Sequence, residues 1–238
     1  MKAMILAAGL GTRLRPLTDR IPKALVEVEG IPMLERVILR LREQGFDRLV
    51  VNIHHLGDQI VGFLSARDYG IEIEISDERE ELLNTGGGIV KAMPLLFKDD
   101  REPVLIHNVD ILSNADLGEV MGEESILLVS GRKSNRRLLF DEDMTLRGWH
   151  NETTGEFRPE SVKEMDGLSA YAFSGIYSLT YESIEEMKKL RGEEAFPVMD
   201  YFLDSRREVG LKGHFDSNLR LIDIGKPATL SQASDFIN

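Results

Sequence analysis

Hydrophobic residues fall into short runs of two alternating kinds. Ala3-Met4-Ile5-Leu6-Ala7-Ala8 is an unbroken apolar run that enters Gly9-Leu10-Gly11-Thr12, the pattern of a strand buried on both faces and ending in a turn. From Pro32 to Leu41 the apolar positions Leu34, Val37, Ile38 and Leu41 recur at helical spacing, and Gly45 supplies a stop. Arg48 to Ile53 reads as a second strand, about Asp58 to Arg67 as a helix, and Ile71 to Ile75 as an alternating strand. A helix near Ile89–Met93, a strand at Val104–His107, a short helix near Ala115–Met121 and a strand at Ile126–Val129 continue the series. Strands alternating with helices predict an α/β fold: a Rossmann-like, mainly parallel mixed sheet with helices on both faces.

After Gly131 the texture changes. Leu138–Phe140 and Thr145–Trp149 predict a hairpin, and residues 151–167 read as a polar, irregular loop or flap. A strand at Ala170–Leu179, helices near Glu182–Leu190 and Val198–Arg207, and a closing helix from Ala228 are expected. There is no internal repeat, low-complexity tract or linker, so residues 1–238 are expected to form a single domain.

Composition narrows the function. A formal charge of −12 opposes non-specific nucleic-acid binding and a basic membrane-surface patch. Within that acidic chain, residues 1–23 carry Lys2, Arg13, Arg15, Arg20 and Lys23 against Asp19, a local setting for an anion. Cysteine is absent, which removes disulfides and thiolate metal sites. The run Ala3–Ala8 is shorter than a signal-peptide core and no apolar run suits a membrane span, so a cytoplasmic location is expected.

In open α/β sheets ligands gather beyond the carboxyl ends of the strands. Three loops in that position, 9–23, 76–88 and 108–113, are expected to converge on one crevice. The first holds Gly9-Leu10-Gly11-Thr12-Arg13, then Pro22-Lys23. Glycines let backbone N–H groups approach an anion, and Arg is a planar fork for phosphate. A bare Gly-x-Gly reads equally as a plain tight turn. Leu14 stands where the dinucleotide fingerprint needs glycine, and no Gly-Lys-Ser/Thr is present for a P-loop. The second loop contains Asn84-Thr85-Gly86-Gly87-Gly88, a helix entry or a ligand approach. The third is Asn108-Val109-Asp110, where a lone Asp is commonly a turn former.

The longer string Gly9-x-Gly11-Thr12-Arg13-Leu14-x-Pro16-Leu17-Thr18, with Pro22-Lys23-x-Leu25 and Gly30-x-Pro32-Met33-Leu34, resembles the N-terminal signature of sugar-phosphate nucleotidylyltransferases. The resemblance implies a nucleotide-diphospho-sugar transferase fold. It also implies transfer of a nucleoside monophosphate from an NTP to a sugar 1-phosphate, with Mg²⁺ as cofactor. By it, Leu6, Ala7, Ala8, Gly9, Gly11, Thr12 and Arg13 hold the nucleotide, together with Asn84, Gly86 and Gly87 on the base side. Arg13, Lys23 and Asp110 are the implied catalytic residues; Lys23, Asn108 and Gly175 face the sugar phosphate. Asp110 and Asp223, the latter in Leu221-Ile222-Asp223-Ile224-Gly225, are the implied metal pair.

The Thr-Gly-Gly-Gly-Ile form is most similar to the subgroup that transfers uridylyl to N-acetylmuramate 1-phosphate, implying UTP and a role in cell-wall precursor synthesis. Asn84 stands where relatives often carry Glu, Val109 where they carry Gly, and the Glu-Lys-Pro segment before the 170–179 strand is missing. The histidines at 54, 55, 107, 150 and 214 have no metal-ligand spacing. Two further readings stay open: a cytidylyl, thymidylyl or guanylyl transferase acting on another phosphorylated substrate such as phosphocholine, and a non-catalytic relative that binds nucleotide sugars.

Overall fold

The computed structural model describes residues 1–237, the side chains of Asp235 and Ile237 aside. Strand β1 (Lys2–Leu6) is buried along its whole length because it is central, running parallel to both neighbours. Its alternating side chains divide between two cores. Met4 and Leu6 join one hydrophobic cluster, while Ala3 and Ile5 join the other, on the opposite face.

Three short 3₁₀ turns follow at residues 12–14, 17–19 and 23–25, then a small hairpin of β2 (Glu27–Val28) and β3 (Ile31–Pro32). Helix α1 (Met33–Glu43) buries Met33, Leu34, Val37, Ile38 and Leu41. Strand β4 (Arg48–Ile53), helix α2 (Gly57–Ser65) and strand β5 (Glu72–Asp77) come next, with β4 parallel to both β1 and β5. Helix α3 (Asn84–Leu96) leads to β6 (Val104–Asn108), which lies parallel to β1 on its other side. The parallel half is therefore β5-β4-β1-β6. The core on one face includes residues of α1 and α2, and the core on the other includes residues of α3.

Beyond β6 the sheet turns antiparallel. Strand β7 (Ile111–Ser113) leaves the sheet, and β8 (Ser125–Ser130), β9 (Arg136–Phe140), β10 (Leu146–Asn151) and β11 (Glu156–Arg158) follow. The long β12 (Ser169–Leu179) pairs antiparallel with β6, β8 and β9 and so joins the two halves. Helices α4 (Tyr181–Arg191) and α5 (Val198–Phe202) add Ile184, Met187, Tyr201 and Phe202 to the α3-side core. Strand β13 (Leu211–Phe215) runs parallel to β8, β14 (Leu221–Asp223) pairs with β7, and α6 (Pro227–Ile237) closes the described chain. The ten-stranded mixed sheet with helices on both faces agrees with the expected architecture.

Four local expectations are corrected. The 115–121 segment is not a helix but a single 3₁₀ turn at Gly118–Val120, where the Asp116 carboxylate accepts the Gly118 amide. Residues 151–167 are not an irregular loop. Part of the segment is β11, paired with β10, and a 3₁₀ helix at 160–164 buries Val162 against Gly148. The helix from Val198 ends at Phe202 instead of Arg207; beyond it the Asp204 carboxylate accepts from the Arg206 amide and pairs with Arg191 and Arg206. Gly86, Gly87 and Gly88 lie inside α3, not in a loop before it. None of the helices among the described residues is long and apolar enough to cross a membrane.

Candidate active site

The carboxyl ends of β1, β4 and β6 open into a crevice of about 410 Å³. Leu6, Ala8, Gly9, Gly11, Thr12, Arg13 and Lys23 line it from the first loop, Asn84 and Thr85 from the start of α3, and Asn108 and Asp110 from the end of β6. The three loops thus meet, as the strand order requires. Leu82, Asn52 and Gly225 line it as well. No motif pointed to Asn52, since it reads as one polar residue at the end of a strand.

The first loop is held rigidly. Gly11 adopts φ 65°, and a Cβ there would stand 2.8 Å from Thr18 Cγ2, so glycine is required both by conformation and by space. The Thr18 hydroxyl donates to the Gly11 carbonyl at 2.8 Å. Below the turns, Leu14, Val26, Val28 and Met33 pack with Leu112, Ile224 and Ala233, which ties the loop to the segment carrying Asp223.

Lys23 forms a short ion pair with Asp110, and both side chains are 13% exposed. The amide of Ile224 donates to the Asp110 carbonyl at 2.8 Å, and Asp223 pairs with Ile111 across β14 and β7. Two carboxylates more than a hundred positions apart are therefore brought together by backbone bonds. Their convergence shows at Gly225. A Cβ there would lie 2.7 Å from Asp223 Oδ1, 2.8 Å from an Arg13 guanidinium nitrogen and 3.2 Å from Asp110 Oδ2. Among the described residues no group of three or more His, Cys, Asp or Glu is placed to hold a metal. A pair of carboxylates suits Mg²⁺, which keeps several waters and takes phosphate oxygens as further ligands.

Val109, where glycine was expected, is buried and is not among the residues with positive φ. Its amide donates to the Leu6 carbonyl, so ordinary backbone carries Asp110 into the crevice. Gly175 adopts φ 81°, and a Cβ would meet Asn108 Nδ2 at 2.7 Å; the glycine makes room for the Asn108 side chain.

Gly86 and Gly87 do not line the crevice, contrary to expectation. Both their amides donate to the Phe196 carbonyl. A Cβ at Gly86 would stand 2.2 Å from the Phe196 ring, and one at Gly87 2.4 Å from the Glu194 carbonyl. They serve close packing of α3. Asn84 does reach the crevice, in the left-handed region at φ 60°, with its own side chain accepting the Thr85 amide. Ala7 lies just behind the wall, its amide bonded to Asn52 Oδ1 at 2.7 Å.

A second cavity, about 590 Å³, lies over the antiparallel half. Arg132, Arg136, Trp149, Arg158 and Phe173 line it, together with Asp223. Arg158 pairs with Glu156 and lies over the Trp149 ring, and Arg132 donates to the Phe173 carbonyl at 2.7 Å. The sequence offered no signal for this cavity, because its arginines are scattered over β9, β11 and a connection. Asp223 lines this cavity, while Gly225, two residues on, lines the crevice.

The histidines have local explanations. His55 contacts the Thr18 carbonyl, His54 the Glu78 carbonyl, and His214 pairs with Glu119. His150 stacks on Phe157. His107 is buried beside the Asn108 carbonyl, and burial lowers it to about 4.

Comparison with known proteins agrees with this geometry. Residues 2–124 match the nucleotidyl transferase family model, and the chain belongs to that family. N-acetylmuramate alpha-1-phosphate uridylyltransferase of Neisseria meningitidis serogroup B is 45% identical over 117 residues, 49% of this chain and 49% of that protein. D-glycero-alpha-D-manno-heptose 1-phosphate guanylyltransferase of Aneurinibacillus thermoaerophilus is 28% identical over 95% of this chain and 94% of its own. Among solved structures, HddC from Yersinia pseudotuberculosis superposes with a TM-score of 0.75 at 25% identity, covering 100% of this chain and 99% of that one. The match to the first of these curated relatives spans about half its length. The fold is that of the nucleotide-diphospho-sugar transferases.

Proposed function

We propose that this protein joins a sugar 1-phosphate to a nucleoside monophosphate taken from an NTP, releasing pyrophosphate, with Mg²⁺ as cofactor. The observation that carries the reading is the meeting of Arg13, Asp110 and Asp223 around Gly225, between a crevice and a second cavity. The crevice would take the NTP, its phosphates on the Gly11–Arg13 turn and its base towards Leu82, Asn84 and Thr85. The second cavity, with its three arginines, would take the phosphorylated acceptor.

A sugar 1-phosphate is already anionic at neutral pH, so the reaction requires no general base. An acceptor phosphate oxygen forms the new bond to the α-phosphorus of the NTP, the bond from that phosphorus to the bridging oxygen breaks, and pyrophosphate departs with the electron pair. Bringing two anions together is the obstacle, and positioning with fixed positive charge overcomes it. Lys23, paired with Asp110, would stabilise charge on the α-phosphate. Arg13 would neutralise the departing pyrophosphate. When bound to Asp110 and Asp223, Mg²⁺ would neutralise phosphate charge.

The N-acetylmuramate relative favours UTP with an N-acetylmuramate 1-phosphate-like acceptor. A guanylyl transfer is a second reading, favoured by the heptose 1-phosphate relative that aligns over nearly the whole chain. A matrix of NTPs against sugar 1-phosphates, scored by pyrophosphate release with Mg²⁺ and with EDTA, separates them. Release from UTP with N-acetylmuramate 1-phosphate, abolished by EDTA, is expected. No release from any pair would overturn the transferase reading.

A further inference from the structure

One fully buried carboxylate has no part in the chemistry above. Glu78 follows β5, has no exposed surface and does not line the crevice. Its Oε1 accepts from Asn52 Nδ2 at 2.7 Å, and its Oε2 accepts the Leu83 amide at 3.2 Å. Asn52 then turns its carbonyl oxygen to the first loop, accepting the Ala7 amide at 2.7 Å and the Ala8 amide at 3.3 Å. A single carboxylate thus links the two walls of the crevice, the loop after β1 and the entry to α3. Gly88 leaves the space for it: a Cβ there would lie 2.6 Å from Glu78 Oε1 and 3.0 Å from Asn52 Nδ2.

The polarity of this chain of bonds has one solution. Two backbone amides facing Asn52 demand its oxygen, so its amide nitrogen must point away and needs an acceptor. Leu83 presents a further donor from the other side. A carboxylate accepts from both at once. An amide in the same place offers one acceptor and turns an NH₂ group towards the remaining donor. Burying an uncompensated carboxylate is unfavourable, and burial does push the Glu78 carboxyl up against the bonds from Asn52 and Leu83.

We infer that Glu78 is a positioning residue for nucleotide binding: through Asn52 it sets the first loop, and through Leu83 it sets the base-side wall, so that both fit one NTP. This rests on the crevice being the NTP site. The test is Glu78→Gln in the full chain, an isosteric change. NTP affinity is read by calorimetry in the absence of acceptor, and KM for each substrate and kcat by pyrophosphate release. NTP affinity should fall about tenfold, with the acceptor KM and kcat changed less than about threefold, since one buried donor loses its partner on the nucleotide side only. Unchanged NTP affinity in a folded variant would overturn the inference. So would a parallel loss in both KM values and kcat, accompanied by a lowered thermal midpoint, because that is the mark of general structural damage. Should Glu78→Gln fail to fold, Glu78→Asp, which keeps the charge but shortens the reach to Asn52 and Leu83, is judged by the same criteria. If the unmodified protein binds no NTP, the crevice assignment itself fails and takes this inference with it; binding and turnover by the unmodified protein with a normal Glu78→Gln variant would sink only the inference.

Discussion

The parallel and antiparallel halves of the sheet build their cavities by different means. In the parallel half, β5-β4-β1-β6, the strands end together, and the crevice is made of loops that run straight out of them. Its lining mixes the small residues Ala8, Gly9 and Gly11 with Arg13, Lys23, Asn52, Asn108 and Asp110. In the antiparallel half the cavity is lined by residues of β9, β10, β11 and β12, together with Arg132 of a connection, Met199 and Asp200 of α5, and Asp223. The family model, at residues 2–124, covers the parallel half and stops before β8. The turn at Gly11, with its positive φ and no room for a Cβ, accepts one residue type, whereas a side chain on a strand can be exchanged one position at a time.

The sharpest test removes the groups at the meeting point. Asp110→Ala or Asp223→Ala should lower kcat about a thousandfold in pyrophosphate release while the protein stays folded, comparable to the loss of a principal electrostatic group elsewhere. Near-normal turnover in either variant with Mg²⁺ would break the idea that the halves share one reaction centre.

The seam between the halves is β6, and there His107 pairs with Ile5 on one side and Ile176 on the other. Burial lowers its pKa from 6.5 to about 4, and nearby Arg40 adds to this while the Asn108 carbonyl opposes it. The unfolded chain binds the proton more readily. The stabilisation is therefore complete above pH 6.5 and is lost as pH falls towards 4, amounting to about 3 kcal/mol. Urea unfolding between pH 7 and 4 should show this decline, and His107→Gln should flatten it.

A smaller effect separates packing from binding in α3. Gly86→Ala drives a methyl group into the Phe196 ring and should lower stability by about 1–3 kcal/mol in thermal unfolding. If instead stability holds and NTP affinity alone collapses, Gly86 reads the base after all. Smallest is Arg136→Ala, expected to raise the acceptor KM about tenfold and leave the NTP KM unchanged, since one charge-assisted contact is lost on the acceptor side. A rise in the NTP KM would break the division between the two cavities.

Much of the parallel half was legible because local rules and tertiary structure agree there. The apolar run at β1 could only be a buried strand, and the Gly9–Lys23 string left little freedom to its loop. The same rules misread Gly86–Gly88 as a loop. Three glycines are poor helix formers, and they are tolerated in α3 because Phe196, the Glu194 carbonyl and the Glu78–Asn52 pair each need the space a side chain would fill. The antiparallel half was less legible. Strand β13 carries the mixed sequence Leu-Lys-Gly-His-Phe, and β11 is three residues long; each is a strand because a neighbour offers its edge.

The sequence by itself determined the α/β alternation, the central strand, the Gly-x-Gly-Thr-Arg turn and the presence of Asp110 and Asp223 in suggestive surroundings. Only the tertiary structure decided that the two aspartates meet, that three arginines from separate segments line one cavity, and that Gly86 and Gly87 pack while Asn52 faces the crevice. The physical reason is range. Periodicity and turn chemistry act over a few residues, whereas Asp223 reaches Asp110 only through the pairing of β14 with β7 and the bond from Ile224 to the Asp110 carbonyl.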